Sequence, residues 1–185
     1  MIQLSVFMWA MILLFGYIGF VRGLSKELIS SSGIILGLFA LFQFDDVIND
    51  LLISVPDAQA FVFRALIFAV IVFFAYQTRA LIGEDAKKET KGSTGGGGRG
   101  ELQANALGAL LGGVNGYLIW GTLWYFMHIN DYPLAPGIVA PLQGTASADF
   151  VSILPLFVLG GGPTGDGNLL AALVIVVFLI VLIVI

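Results

Sequence analysis

The chain has 185 residues, 58% of them hydrophobic and only 11% charged, and its mean hydropathy is +0.99. A soluble domain carries about 25% charged residues to cover its outside, so this composition excludes a soluble fold and points to an integral membrane protein. The net charge of −4 argues against nucleic acid, which selects clustered Lys and Arg, and the lack of cysteine removes disulfides, thiolate nucleophiles and Cys-based metal sites.

In lipid only helices and closed barrels satisfy the backbone, and no strand alternation competes, so the apolar runs read as helices. The first span runs from about Leu4 to Val21. No basic n-region precedes it and no A-x-A cleavage site follows, so it is expected to stay as an anchor. The stretch "GFVRGLSKELISSSGIILG" then sets Arg22, Lys26 and Glu27 between two apolar runs. These charges read as a turn outside the membrane, with Glu27 near the favourable N-terminal end of the second helix.

The second span covers about Leu28 to Phe44, and "DDVINDLLISVPD" follows as a loop with four aspartates, Asp45, Asp46, Asp50 and Asp57. A third span, about Ala58 to Leu81, carries Arg64 roughly 9 Å inside one end at 1.5 Å per residue. Next comes a Gly-rich linker, "GEDAKKETKGSTGGGGRGELQ", expected as a cytoplasmic loop over about residues 82–103. Gly95, Gly97 and Gly100 have G-x-G-x-x-G spacing, but a polar linker precedes them and a membrane helix follows. A dinucleotide fingerprint needs a strand before it, so no nucleotide or other cofactor is expected.

The fourth span covers about Leu107 to Ile129. Residues 130–168 form an outer segment holding five of the six prolines, Pro133, Pro136, Pro141, Pro155 and Pro163. Within it "DFVSILPLFVLGGG" is too short to cross a bilayer and is broken by Pro155, so an interfacial or re-entrant piece is expected. A fifth span runs from about Leu169 to Ile185. The expected architecture is all-α and polytopic: a four-helix core over 1–129, the outer segment over 130–168, and a C-terminal transmembrane helix over 169–185.

Seven of the eight basic residues fall in two alternate loops: Arg22 and Lys26, then Arg79, Lys87, Lys88, Lys91 and Arg99. The positive-inside rule puts those loops in the cytoplasm, the N-terminus outside and the C-terminus in the cytoplasm. Arg64, the remaining cation, is expected to snorkel to phosphates or pair with an outer aspartate such as Asp57; a place on a substrate or ion path is the sharper alternative. His128, the only histidine, lies with Trp120, Trp124, Tyr125 and Tyr132, which read as interfacial anchors. One histidine makes no metal cluster, and no nucleophile is placed for a triad.

Glycines four apart carry a packing message: Gly19 and Gly23, Gly33 and Gly37, then Gly108, Gly112 and Gly116 after Ala104. Small-residue stripes let helix backbones approach closely, and Ser30, Ser31, Ser32 and Asn115 can add interhelical hydrogen bonds. Close packing within the chain is one use of these faces; self-association is the other.

The run "RG" then "SKEL" between two spans resembles the colicin V production protein (CvpA) family, and "NALGALLGGVNG" resembles that family's glycine-rich start to its fourth span. The matching positions are Arg22, Gly23, Glu27, Leu28, Asn105, Leu107, Gly108, Gly112 and Gly116, and the likeness covers roughly residues 1–130. It implies a bacterial inner-membrane, non-enzymatic protein linked to colicin (toxin) export and envelope maintenance. The partners then expected are membrane lipids and other membrane proteins, or further copies of this chain through glycine faces, and no nucleic acid. Two readings stay open beside it: an accessory subunit of a larger membrane complex, energy-transducing or photosynthetic, and a channel or carrier built on Arg64.

Overall fold

A computed structural model of the chain describes residues 3–77 and 99–184. Among the described residues every regular element is helical. Helices α1 (Leu4–Arg22) and α2 (Leu24–Gln43) are joined by Gly23 alone, at φ 80°, a left-handed value that suits a residue without Cβ. One residue after α2 comes the short α3 (Asp45–Leu52), followed by α4 (Asp57–Gln77) and the long α5 (Arg99–Ile129). Two short helices follow, α6 (Ala146–Val151) and α7 (Pro155–Gly160), and then α8 (Asn168–Val184).

Helices α1, α2, α4 and α5 are each long and apolar enough to cross a membrane, which makes the chain an all-α polytopic protein. The fifth apolar helix, α8, has 17 residues. At 1.5 Å per residue it reaches about 25 Å, short of the roughly 30 Å of a hydrocarbon core. Hydropathy places two helix starts late. Helix α2 begins at Leu24 rather than Leu28, and α5 at Arg99 rather than Leu107, because their first turns are helical but polar. Of the aspartate-rich stretch over residues 45–57 expected as a loop, the first eight residues form the helix α3 and Asp57 opens α4. Most of the Gly-rich linker, with Gly95, Gly97, Lys87, Lys88 and Lys91, lies outside the described residues, as does Arg79 before it; Gly100 sits in α5.

Helix α1 makes its largest contact with α5, and the two run antiparallel. A Cβ added at Gly112 would stand 2.9 Å from Gly19 Cα, one at Gly108 2.9 Å from Gly23 Cα, and one at Gly116 2.6 Å from the Met11 carbonyl oxygen. Real Cβ atoms do not approach backbone so closely, so this seam admits glycine only. Gly33 and Gly37 of α2 face α4 instead, against Ala75 and Ile71. Helix α5 thus sits centrally, between α1, α2, α4 and α7, while α8 lies against α2.

The aromatic group expected as interfacial anchors is instead mostly core. Trp124, Tyr125 and Tyr132 are buried, because the segment over residues 130–168 folds back over the end of the bundle. Phe150 of α6 stacks on Trp124 with centroids 6.4 Å apart, and Phe157 of α7 meets both Tyr125 and His128 edge-on. A buried serine pair ties this cap to the first helix: Ser147 Oγ donates to Ser5 Oγ at 3.0 Å and accepts from the Ser5 amide at 3.2 Å. Large apolar side chains such as Leu13, Tyr17, Leu66, Phe74 and Phe178 point outward from α1, α4 and α8. In a membrane protein that outward apolar surface faces lipid rather than water.

Candidate functional site

Two arginine-centred polar clusters lie between the helices. The first gathers around Glu27, which is fully buried one turn into α2. Its Oε1 accepts from Arg22 Nη1 at 2.6 Å, across the Gly23 joint. Its Oε2 accepts from Asn115 Nδ2 of α5 at 2.8 Å and from the Tyr76 hydroxyl of α4 at 3.4 Å. The Arg22 guanidinium also donates to Ser30 Oγ at 3.2 Å and stands 4.5 Å from the centre of the Tyr76 ring. Ser31 Oγ lies 2.8 Å from both the Glu27 carbonyl and Asn115 Oδ1. Four helices therefore meet on one carboxylate. A charge held away from water needs this much compensation, since its desolvation is recovered only by close partners on every side.

Glu27 does lie in the first turn of α2, as expected, and it is in addition the buried meeting point of three other helices. The single-glycine joint folds Arg22 back onto the first turn of α2, so that Arg22 and Glu27, two of the three charges expected to mark a turn, close on each other inside the bundle. The remaining residues of the two sequence blocks collect nearby: Asn105 Oδ1 would lie 3.6 Å from a Cβ on Gly23, and Gly108 packs on Gly23 itself. Of the serines, Ser31 reaches α5 and Ser30 lies 3.3 Å from the Ala75 carbonyl of α4, whereas Ser32 bonds back to Ile29 within its own helix. Tyr76 carries no sequence signal, because a tyrosine near a span end reads as an anchor.

The second cluster lies at the opposite end of the bundle. Arg64 is 5% exposed, so it does not snorkel. Its Nη1 donates to Asn130 Oδ1 at 3.3 Å, just past the end of α5, and its Nη2 donates to Asn49 Oδ1 of α3. The nearest carboxylate is Asp45 of α3, with Oδ1 3.9 Å from Nε, and not Asp57, which is exposed at the start of α4. Helix α3 supplies Asn49 and Asp45 as acceptors from the protein itself, which removes the need to reach for phosphates. Nε is buried and has no hydrogen-bond acceptor among the described residues. Arg64 and Asp45 line a cleft of about 190 Å³ with Tyr125, Leu156 and Asp166.

His128 lies beside the first turn after α5. Its Nδ1 and Trp124 Nε1 both stand 3.2 Å from the Tyr132 hydroxyl. Burial pushes the Tyr132 phenol above its ordinary pKa, partly offset by the Trp124 hydrogen bond. Tyr132 and Asp131 hold positive φ values of 53° and 51°, where the chain leaves α5. Among the described residues no three acidic or histidine side chains converge as metal ligands.

Four spanning helices, a glycine-only seam and charges neutralised inside the bundle define a polytopic helical membrane protein. The sequence profile of the family described as colicin V production protein matches residues 4–151, and the chain belongs to that family. The match runs past α5 and through the outer segment to the end of α6, farther than the resemblance over residues 1–130. No curated protein and no solved structure matches the chain.

Proposed function

We propose that this colicin V production family protein works in the bacterial inner membrane, in export or envelope function, as a non-enzymatic protein acting through helix–helix and protein–protein contacts. The observation that carries this reading is the closed Arg22–Glu27 cluster. Its charged groups are engaged by Ser30, Tyr76 and Asn115 of the same chain, while wide apolar faces of α1, α4 and α8 point outward. The basic residues in two alternate loops support an outside N-terminus, and a cytoplasmic C-terminus requires that α8 cross as well.

Purification in mild detergent followed by native mass analysis tests the contact-based role. A defined homo-oligomer or a stoichiometric partner supports it, the second outcome favouring the accessory-subunit form, and a bare monomer contradicts it. Orientation is checked with single cysteines at Asp46 and Lys88: a membrane-impermeant reagent applied outside cells should label the first and spare the second. A carrier role rests on the placement of Arg64 in the wall of the 190 Å³ cleft. It predicts that Arg64→Leu abolishes a flux measured in reconstituted vesicles, and unchanged flux removes that reading.

A further inference from the structure

Helix α3 divides cleanly into three sides. At about 100° per residue, Phe44, Val47 and Leu51 fall within an arc of about 60°. All three are more than half exposed, at 59%, 55% and 68%, and Ile53, just beyond the helix, is 83% exposed. The next arc carries Ile48, which is buried, together with the partly covered Asp45 and the exposed Asn49, both of which face Arg64 of α4. The remaining side holds Asp46 and Asp50, both exposed.

The depth of α3 follows from its attachments. It starts one residue after the spanning helix α2 ends and leads into the spanning helix α4. Its inward side is bonded to Arg64, seven residues along α4 from Asp57, or about 10 Å down that helix axis. Helix α3 is therefore tied at the end of the bundle, between the end of α2 and the start of α4, and the Arg64 side chain reaches it from α4. An exposed apolar side at this level, between two spanning helices, has an acidic side to turn toward water. Interfacial helices show this division, with apolar residues set into the headgroup–acyl boundary.

We infer that α3 is an in-plane membrane anchor, whose Phe44, Val47 and Leu51 enter the leaflet at the face where α4 begins. Its lipid partner is zwitterionic, because residues 44–57 carry four aspartates and no Lys or Arg. Arg64 is the positioning residue that holds the inward side of this anchor to α4 and α5.

The chain has no cysteine, so single cysteines at Val47 and Leu51, with Asp46 and Asp50 as water-side references, can be spin-labelled without background. In nanodiscs of zwitterionic phospholipid, the ratio of oxygen to water-soluble nickel-chelate collision should be several-fold higher at positions 47 and 51 than at 46 and 50. Equal ratios at all four positions would overturn the inference by placing α3 in water. Labels at 47 and 51 shielded from both oxygen and nickel would also overturn it, in favour of a covering protein or a second copy. All four sites are exposed, and a monodisperse elution profile with unchanged thermal unfolding certifies each labelled variant.

Discussion

Arg22 and Arg64 are both held between helices, yet their surroundings differ in kind. Arg22 meets a fully buried carboxylate at 2.6 Å, and that carboxylate is further held by Asn115 and Tyr76. Arg64 meets neutral asparagines, and its nearest carboxylate stands 3.9 Å away with 41% of its side chain exposed. The first cluster joins four helices around a neutralised pair. The second lies beside a cleft and secures a short helix. The difference teaches that an intramembrane cation is made tolerable either by direct neutralisation or by neutral acceptors and partial hydration, and these leave distinct energetic marks.

The largest effect should come from the first cluster. Glu27→Leu leaves the Arg22 guanidinium without its counter-charge and Asn115 without its acceptor. A loss of about 3–5 kcal/mol in unfolding free energy in detergent is expected, and a loss under about 1 kcal/mol would erase the contrast with Arg64. Gly112→Val comes next. The added side chain meets α1 backbone, which cannot turn aside as a flexible side chain can, and about 1–3 kcal/mol should be lost. Gly100→Ala is the matched control. Among the described residues nothing lies within 4 Å of its added Cβ, so stability should stay level or rise by roughly 0.5–1 kcal/mol from the helical gain.

Ser147→Ala removes a buried hydrogen-bonded pair that pins the outer segment to α1. A loss of about 1 kcal/mol is expected, together with faster proteolysis within residues 130–168. Asp45→Asn should have the smallest effect, under about 1 kcal/mol, because a partly exposed carboxylate at this distance contributes little.

The four spanning helices were legible because about 20 apolar residues in a row have few other uses. Their polar first turns were not, since hydropathy sees only the lipid-facing part of α2 and α5. Helix α3 was hidden for a related reason: its four acidic or amide side chains outweigh its apolar ones in a linear reading, and its sides separate only when wound into a helix. Asn115, Ser30 and Ser31 could be named as interhelical hydrogen-bond formers from their place in spans. Their convergence on Glu27 could not, because Glu27, Tyr76 and Asn115 are 49 and 88 positions apart from one end to the other two. The burial of Trp124 and Tyr125 was equally unreadable, as it depends on α6 and α7 folding back over the bundle.

Paired double-mutant cycles test most directly the claim that one arginine is neutralised and the other merely accommodated. One cycle combines Arg22→Met with Glu27→Leu; the other combines Arg64→Met with Asp45→Asn, all read as unfolding free energies in the same detergent. The account predicts a coupling above about 2 kcal/mol for Arg22 with Glu27 and below about 0.5 kcal/mol for Arg64 with Asp45. Equal couplings, or a larger one at Arg64, would contradict it.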